Sequence, residues 1–380
     1  MDFSPTKEQE MLRKMAREFA KRRIEPTAKE DDRNEHLPLE TIKGLASLGL
    51  LGARVPSEYG GTGMNHLAYI TVVEEIARSS PSIALSVFGA HSLVEEMLML
   101  WGNVEQKRKY LPSMCKGEAL GCFGLSELGV GTEVTRVNTR AELKEGEWVL
   151  NGEKVFVING GVARFSLIFA QANKDGESGV SAFLVERDMH GFLCENFERS
   201  GLCSANITTL CFQDCAIPQE NLLAGIGDGV KIAQTLLDNL RFVVAAVCVG
   251  ATQACLDASI EYAGQRQVFG RSISQFDMVQ ELITGMVIGN EAARLLTYQA
   301  ADLKDKGLPF SKQLFIARAF ASEVAIEATT KAIQVHGAYG YGREYPVERY
   351  FRDIAETILY GGTPSEEKLS AVRYVLGIIS

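Results

Sequence analysis

The chain has no Cys-x-x-Cys pair, and its 380 residues include only five histidines, two tryptophans and ten prolines. Of the eight cysteines, Cys211 and Cys215 are the closest pair and no histidine is near them, so a tetrahedral zinc site lacks its ligand set. Free thiols in a reducing compartment are the better reading. An excess of positive charge is also missing. Lys and Arg total 39 against 48 Asp and Glu, and a net charge of −9 has the wrong sign for a partner of nucleic acid. The first 23 residues are charged throughout and contain no apolar leader core, and the longest apolar run, Phe242 to Ala251, is about half a membrane span. These absences predict a cytoplasmic protein without membrane insertion. What is present, 46% hydrophobic and 23% charged residues over this length, suits a globular chain of two to three domains.

Residues 1–117 read as helices. Thr6 and Gln9 form a capping-box signature before Met11, Met15 and Phe19 at helical spacing, and further helices are expected at 39–49, 66–79, 84–101 and 104–116. Val55 to Gly63 is turn chemistry. Residues 118–225 change to short Val-, Phe-, Leu- and Ile-rich runs (120–125, 139–143, 147–150, 154–157, 165–172, 180–185, 208–212), the pattern of a small antiparallel barrel or sandwich. Residues 226–380 are helical again, at 230–267, 277–306, 311–336 and after Pro364. The fold class is α+β by content and mainly α: an N-terminal helical domain, a middle β domain and a C-terminal helical bundle.

Three glycine-rich pieces could meet a ligand. Phe123-Gly-Leu-Ser-Glu-Leu-Gly-Val-Gly-Thr132 ends a strand in small residues that admit a flat molecule beside a hydroxyl. Arg266-Gln-Val-Phe-Gly270 follows a long helix and offers a guanidinium for phosphate and a ring for stacking, though a solvated helix-end Arg has the same appearance. Gln334 to Gly342, Glu344 to Asp353 and Tyr360-Gly-Gly-Thr363 read as loops whose backbone amides can cradle a pyrophosphate. No Gly-x-Gly-x-x-Gly follows a strand, so a Rossmann site is not indicated.

In this order and spacing, these pieces resemble the acyl-CoA dehydrogenase flavoproteins over essentially the full length. Tyr59-Gly-Gly-Thr-Gly63, Ser126 to Thr132, Leu150-Asn-Gly-Glu-Lys154, Phe212 to Pro218, Leu237-Asp-Asn-Leu-Arg241 and Glu344 to Arg349 add to the match. The resemblance implies FAD as cofactor and an acyl-CoA or acyl-carrier thioester as substrate. It also implies electron-transfer flavoprotein as electron acceptor and a homotetramer or homodimer. It places Phe123, Ser126, Phe156, Ile158, Arg266, Phe269, Gln334, Gly337 and Thr363 around FAD, with Arg266 and Phe269 reaching across the dimer interface. Thr132, Asp238, Arg241 and Gly361 fall on its substrate side.

The departures concern the chemistry. The family's usual base is a Glu in a Tyr-Glu-Gly-Thr loop, where this chain has Gly361, and a minority place it at the position of Leu240. General-base catalysis contributes about 10²–10⁴ in rate, so its loss calls for a substitute. His91, in Phe88-Gly-Ala-His91, is the candidate proton acceptor, with a structural histidine as the alternative. Glu95 and Glu96 are expected on a solvated face or in helix pairing. Ile158 stands where many members carry a Thr beside the flavin; Leu128, Glu133 and Asp277 replace a usual Pro, Asp and Gln. The expected activity is α,β-dehydrogenation with a relocated base. The alternatives are a non-oxidative elimination, decarboxylation or desulfination of acyl-CoA, oxidation of a carrier-bound acyl group, and a catalytically silent flavin scaffold.

Overall fold

The computed structural model describes residues 6–131, 133–174 and 176–378. The N-terminal part is helical up to Cys115, beginning with Lys7–Phe19, whose Thr6–Gln9 capping box is formed, and ending with Val104–Cys115. Between them, Pro81–Ala84 and Ser92–Trp101 are joined by a π-helical stretch, Leu85–His91, buried at every residue. π-Helical insertions concentrate near functional sites. This helical run and the later helix Gly229–Gln265 are each long and apolar enough to cross a membrane, but both are mostly buried inside the fold, as core helices are.

The middle part is one eight-stranded sheet: β1 (Gly121–Gly124), β2 (Arg140–Lys144), β3 (Glu147–Ile158), β4 (Phe165–Lys174), β5 (Glu177–Glu186), β6 (Phe192–Asn196), β7 (Ile207–Pro218) and β8 (Leu222–Leu223). Its order is β6-β7-β3-β2-β4-β5-β8, with β1 also on β4. The sheet is not wholly antiparallel as the sequence suggested. β1 runs parallel to Phe165–Ile168 of β4 and β2 parallel to Gln171–Asn173, while β5 covers the opposite edge throughout. β1 and β2 therefore occupy successive stretches of one edge, and residues 125–131 and 133–139, which include Ser126, lie outside it between them. Trp148 stacks edge-on against Phe183 in the core of this layer.

The C-terminal part is built on Gly229–Gln265, Asp277–Asp305 and Ser311–His336, closed by Pro364–Val375. A fifth helix, Val347–Thr357, lies where the sequence reading placed loop motifs. Its buried Val347, Tyr350 and Ile354 repeat at i, i+3 and i+7. Asn159, at the end of β3, joins the parts: its amide donates to the carbonyls of Ser86 (2.8 Å) and Gly121 (3.4 Å) and accepts from the Ser86 hydroxyl (2.6 Å).

Candidate active site

A cavity of about 560 Å³ opens between the β layer and the C-terminal helices. One wall comes from the β layer: Phe123, Leu125 and Ser126 after β1, and Val155, Phe156 and Ile158 at the end of β3. The facing wall carries Leu237 and Leu240 of Gly229–Gln265, with Glu356, Leu359, Tyr360 and Gly361. The segment Phe197 to Ser200 completes it.

Local structure explains the β wall. The β3–β7 register shifts between Lys154 and Val157, and Phe156 sits in that bulge at φ +56°. A left-handed aromatic residue is a genuine outlier, and such strain gathers at functional sites. It turns the Phe156 ring edge-on to Phe197, with centroids 5.2 Å apart. The Ser126 loop is fixed from below. Glu127 accepts from the Lys154 ammonium (2.6 Å), the Thr139 hydroxyl (2.6 Å), and the amides of Asn138 (2.6 Å) and Thr139 (2.9 Å). Burial disfavours the Glu127 carboxylate, but the hydrogen bonds from Lys154 and Thr139 outweigh it and hold the group below its ordinary range, while burial pulls Lys154 down to about 8.

On the facing wall, the chain leaves helix Val347–Thr357 in a tight turn, with Leu359 N donating to Glu356 O (3.0 Å) and Tyr360 N to Thr357 O (3.2 Å). Buried Arg318 pins that turn by donating to the carbonyls of Ile358, Tyr360 and Gly362. Gly361 has φ +77°, and a Cβ built there would lie 3.2 Å from Leu240 Cδ2. The two positions where the resemblance expects a base are thus adjacent, and both are filled without an acid.

Phe123, Ser126, Phe156, Ile158 and Gly361 are brought together in the cavity. Thr132 lies outside the described residues. Asp238 and Arg241 are not in its lining; Arg241 bridges Asp238 and Glu367, 2.8 Å from each. Arg266, Phe269, Gln334 and Gly337 are not in the cavity lining. The Arg266 guanidinium lies over Tyr339, and Phe269 tips a hairpin at φ +52° with 93% of its surface exposed. Thr363 caps Pro364–Val375, its amide and hydroxyl both donating to Glu366.

His91 does not reach the cavity, contrary to its place as candidate proton acceptor. It is fully buried, with Nδ1 accepting from the Gly121 amide (3.1 Å) and Nε2 3.3 Å from Glu95. Glu95 is equally buried beside it and faces no solvent. The residue missed from sequence is Glu356, because the helix carrying it went unrecognised. The buried repeat of Val347, Tyr350 and Ile354 was the signal for that helix. Burial, followed by a smaller contribution from the Asp353 charge, raises the Glu356 carboxyl to about 7 against the opposing pull of Arg199.

The β wall suits a flavin. It is mostly apolar, and among the described residues the Ser126 hydroxyl has no hydrogen-bond partner and nothing stands within 4 Å of a Cβ built on Gly129 or Gly131, both at positive φ. Phe123, Phe156 and Ile158 would hold the ring system and Ser126 would bond its edge.

Three family models match: acyl-CoA dehydrogenase N-terminal domain at residues 6–118, middle domain at 122–215 and C-terminal domain at 227–369. An acyl-CoA dehydrogenase of Bacillus subtilis (strain 168) is 39% identical, covering 98% of this chain and 99% of that one. Butyryl-CoA dehydrogenase from Megasphaera elsdenii superposes with a TM-score of 0.94 at 36% identity, over 99% of this chain and all of that one. A glutaryl-coenzyme A dehydrogenase in complex with glutaryl-CoA gives 0.96 at 35%, over 100% and 98%. With the fold, the apolar β wall and three consecutive domain matches in agreement, the chain belongs to the acyl-CoA dehydrogenase family and is an FAD-dependent oxidoreductase acting on acyl thioesters.

Proposed function

We propose that the protein oxidises the Cα–Cβ bond of an acyl-CoA, passes the electrons to an electron-transfer flavoprotein and works as a homotetramer or homodimer. The observation that carries this reading is the two-walled cavity, in which Phe123, Ser126, Phe156 and Ile158 stand opposite an apolar face of Leu237, Leu240 and Leu359. FAD, when bound, supplies the two-electron acceptor for the β-hydride. The chain's own residues hold the acyl group, keep water from it and take the α-proton. The acyl group lies against the leucines of the facing wall. Oligomerisation is supported by the exposure of Phe269, Met278 (80%) and Ile288 (65%), large apolar residues that a lone chain leaves in water.

Anaerobic addition of butyryl-, isobutyryl-, cyclohexanecarboxyl- and glutaryl-CoA to the purified yellow protein tests the reading. Bleaching of the visible flavin band by at least one of them, with the matching enoyl product found by mass spectrometry, is the expected result. A flavin that none of them reduces, with no enoyl product, overturns it.

A further inference from the structure

Three carboxylates stand in the cavity wall: Glu127, Glu198 and Glu356. Glu127 is tied up by Lys154, Thr139 and Asn138, and Glu198 is exposed at the rim. Glu356 differs from both. It is the penultimate residue of helix Val347–Thr357, half-buried, and among the described residues no Lys, Arg or His nitrogen comes within ion-pair distance of it.

The charged and titratable groups around it offset its burial only in part: burial and Asp353 raise its carboxyl, Arg199 and Tyr360 lower it, and the balance lies upward. Arg199, from the segment after β6, points its guanidinium at the carbonyls of Phe197, Leu202, Cys203 and Ile207. Asp353, one turn back on the same helix, is an acid, and its carboxylate accepts from the Leu202 amide (2.7 Å). The Tyr360 hydroxyl, on the turn that follows, is buried, has no other hydrogen-bond partner among the described residues and lies close enough to Glu356 to lower its carboxyl. Glu127 and Glu198, also of negative sign, are the other ionisable groups of the lining apart from Arg199 and Tyr360. The turn carrying Gly361 folds back beside Glu356 and is held there by Arg318, so an acid sits on the same wall as the two positions that lack one.

We propose that Glu356 is the proton acceptor of this active site, removing the α-proton of the bound thioester in place of acids at 361 and 240. The inference rests on the acyl-CoA dehydrogenase reading above. In the step, the Cα–H bond breaks, an O–H bond forms on the Glu356 carboxylate, and the bonding pair stays on the α-carbon, delocalised into the thioester carbonyl. The proton leaves Glu356 for solvent once the product has left the cavity. The setting suits the role, since burial holds the group near the working pH, where a general base is most effective.

Proton transfer is separated from oxidation by measuring exchange. The holoprotein, its flavin reduced beforehand with dithionite, is incubated in D2O with each of the four acyl-CoA probes, and deuterium at the α-carbon is followed by mass spectrometry. The native protein is expected to exchange at a rate that rises with pH and levels above about 7. Glu356→Gln should lose roughly 10²-fold or more of that rate together with its pH dependence, with flavin content and thioester binding kept. Glu356→Asp should keep part of the rate with a displaced pH limb. An infrared carboxyl band titrating near pH 7 should be present in the native holoprotein and missing from Glu356→Gln. If the native protein exchanges and Glu356→Gln matches its rate and profile, the proposal fails while the family reading stands. Exchange by no probe, joined with no bleaching, overturns both.

Discussion

Raising Glu356 from 4.5 to about 7 by burial affects folding as well as chemistry. Between those values the folded chain holds a proton that the unfolded chain has released, so stability falls as pH rises through the interval. Above it the charged form withdraws up to about 3 kcal/mol. Glu356→Gln should therefore raise the thermal midpoint at pH 8 and leave it nearly unchanged at pH 4.5, at equal flavin loading. Equal shifts at both pH values would show that the carboxyl titrates normally. The two vacant base positions also differ. Leu240 lies on a regular helix with its side chain in the cavity, whereas Gly361 sits at φ +77°, where an L side chain is strained and its Cβ would press on Leu240. Leu240→Glu is thus expected to speed bleaching by butyryl-CoA about tenfold or more, and Gly361→Glu to gain less. The reverse order, measured by anaerobic stopped flow, would show that the turn relaxes readily.

Among the elements, those with a strong local signal were legible in the sequence. The Thr6–Gln9 box starts a helix, Ser311–His336 has the bounds its pattern suggested, and the β runs at 147–150 and 154–157 belong to one strand bent by the bulge at Phe156. The parallel placement of β1 and β2 was not legible, because which edge a strand joins is decided by long-range pairing with β4, and β6, which pairs only with β7, was also not legible. The Glu127–Lys154 pair fastens the loop that leaves the sheet between β1 and β2. Removing one member of a buried ion pair strands the other, so Lys154→Met should cost about 3 kcal/mol in urea unfolding and lower the flavin-to-protein ratio. Loss of stability with full flavin content would mean the pair supports the sheet and not the Ser126 loop.

For the whole molecule, the glycine-rich pieces separate into two groups, one in the cavity and one around Arg266, Tyr339 and Gly337. No local pattern could have told them apart, since the separation arises from how the β layer and the helical bundle pack. If the second group completes a neighbour's cofactor site, Arg266→Ala should lower flavin retention and sedimentation coefficient together. Unchanged values for both would leave that group without a role in assembly. The turn at Gly361 also limits how its wall can be rebuilt. With the backbone held in a left-handed turn by Arg318 and Leu240 packed against it, a side chain at 361 has to be accommodated by the turn and the helix carrying Leu240 together. The two neighbours therefore act as one unit, and a change at 361 is felt at 240.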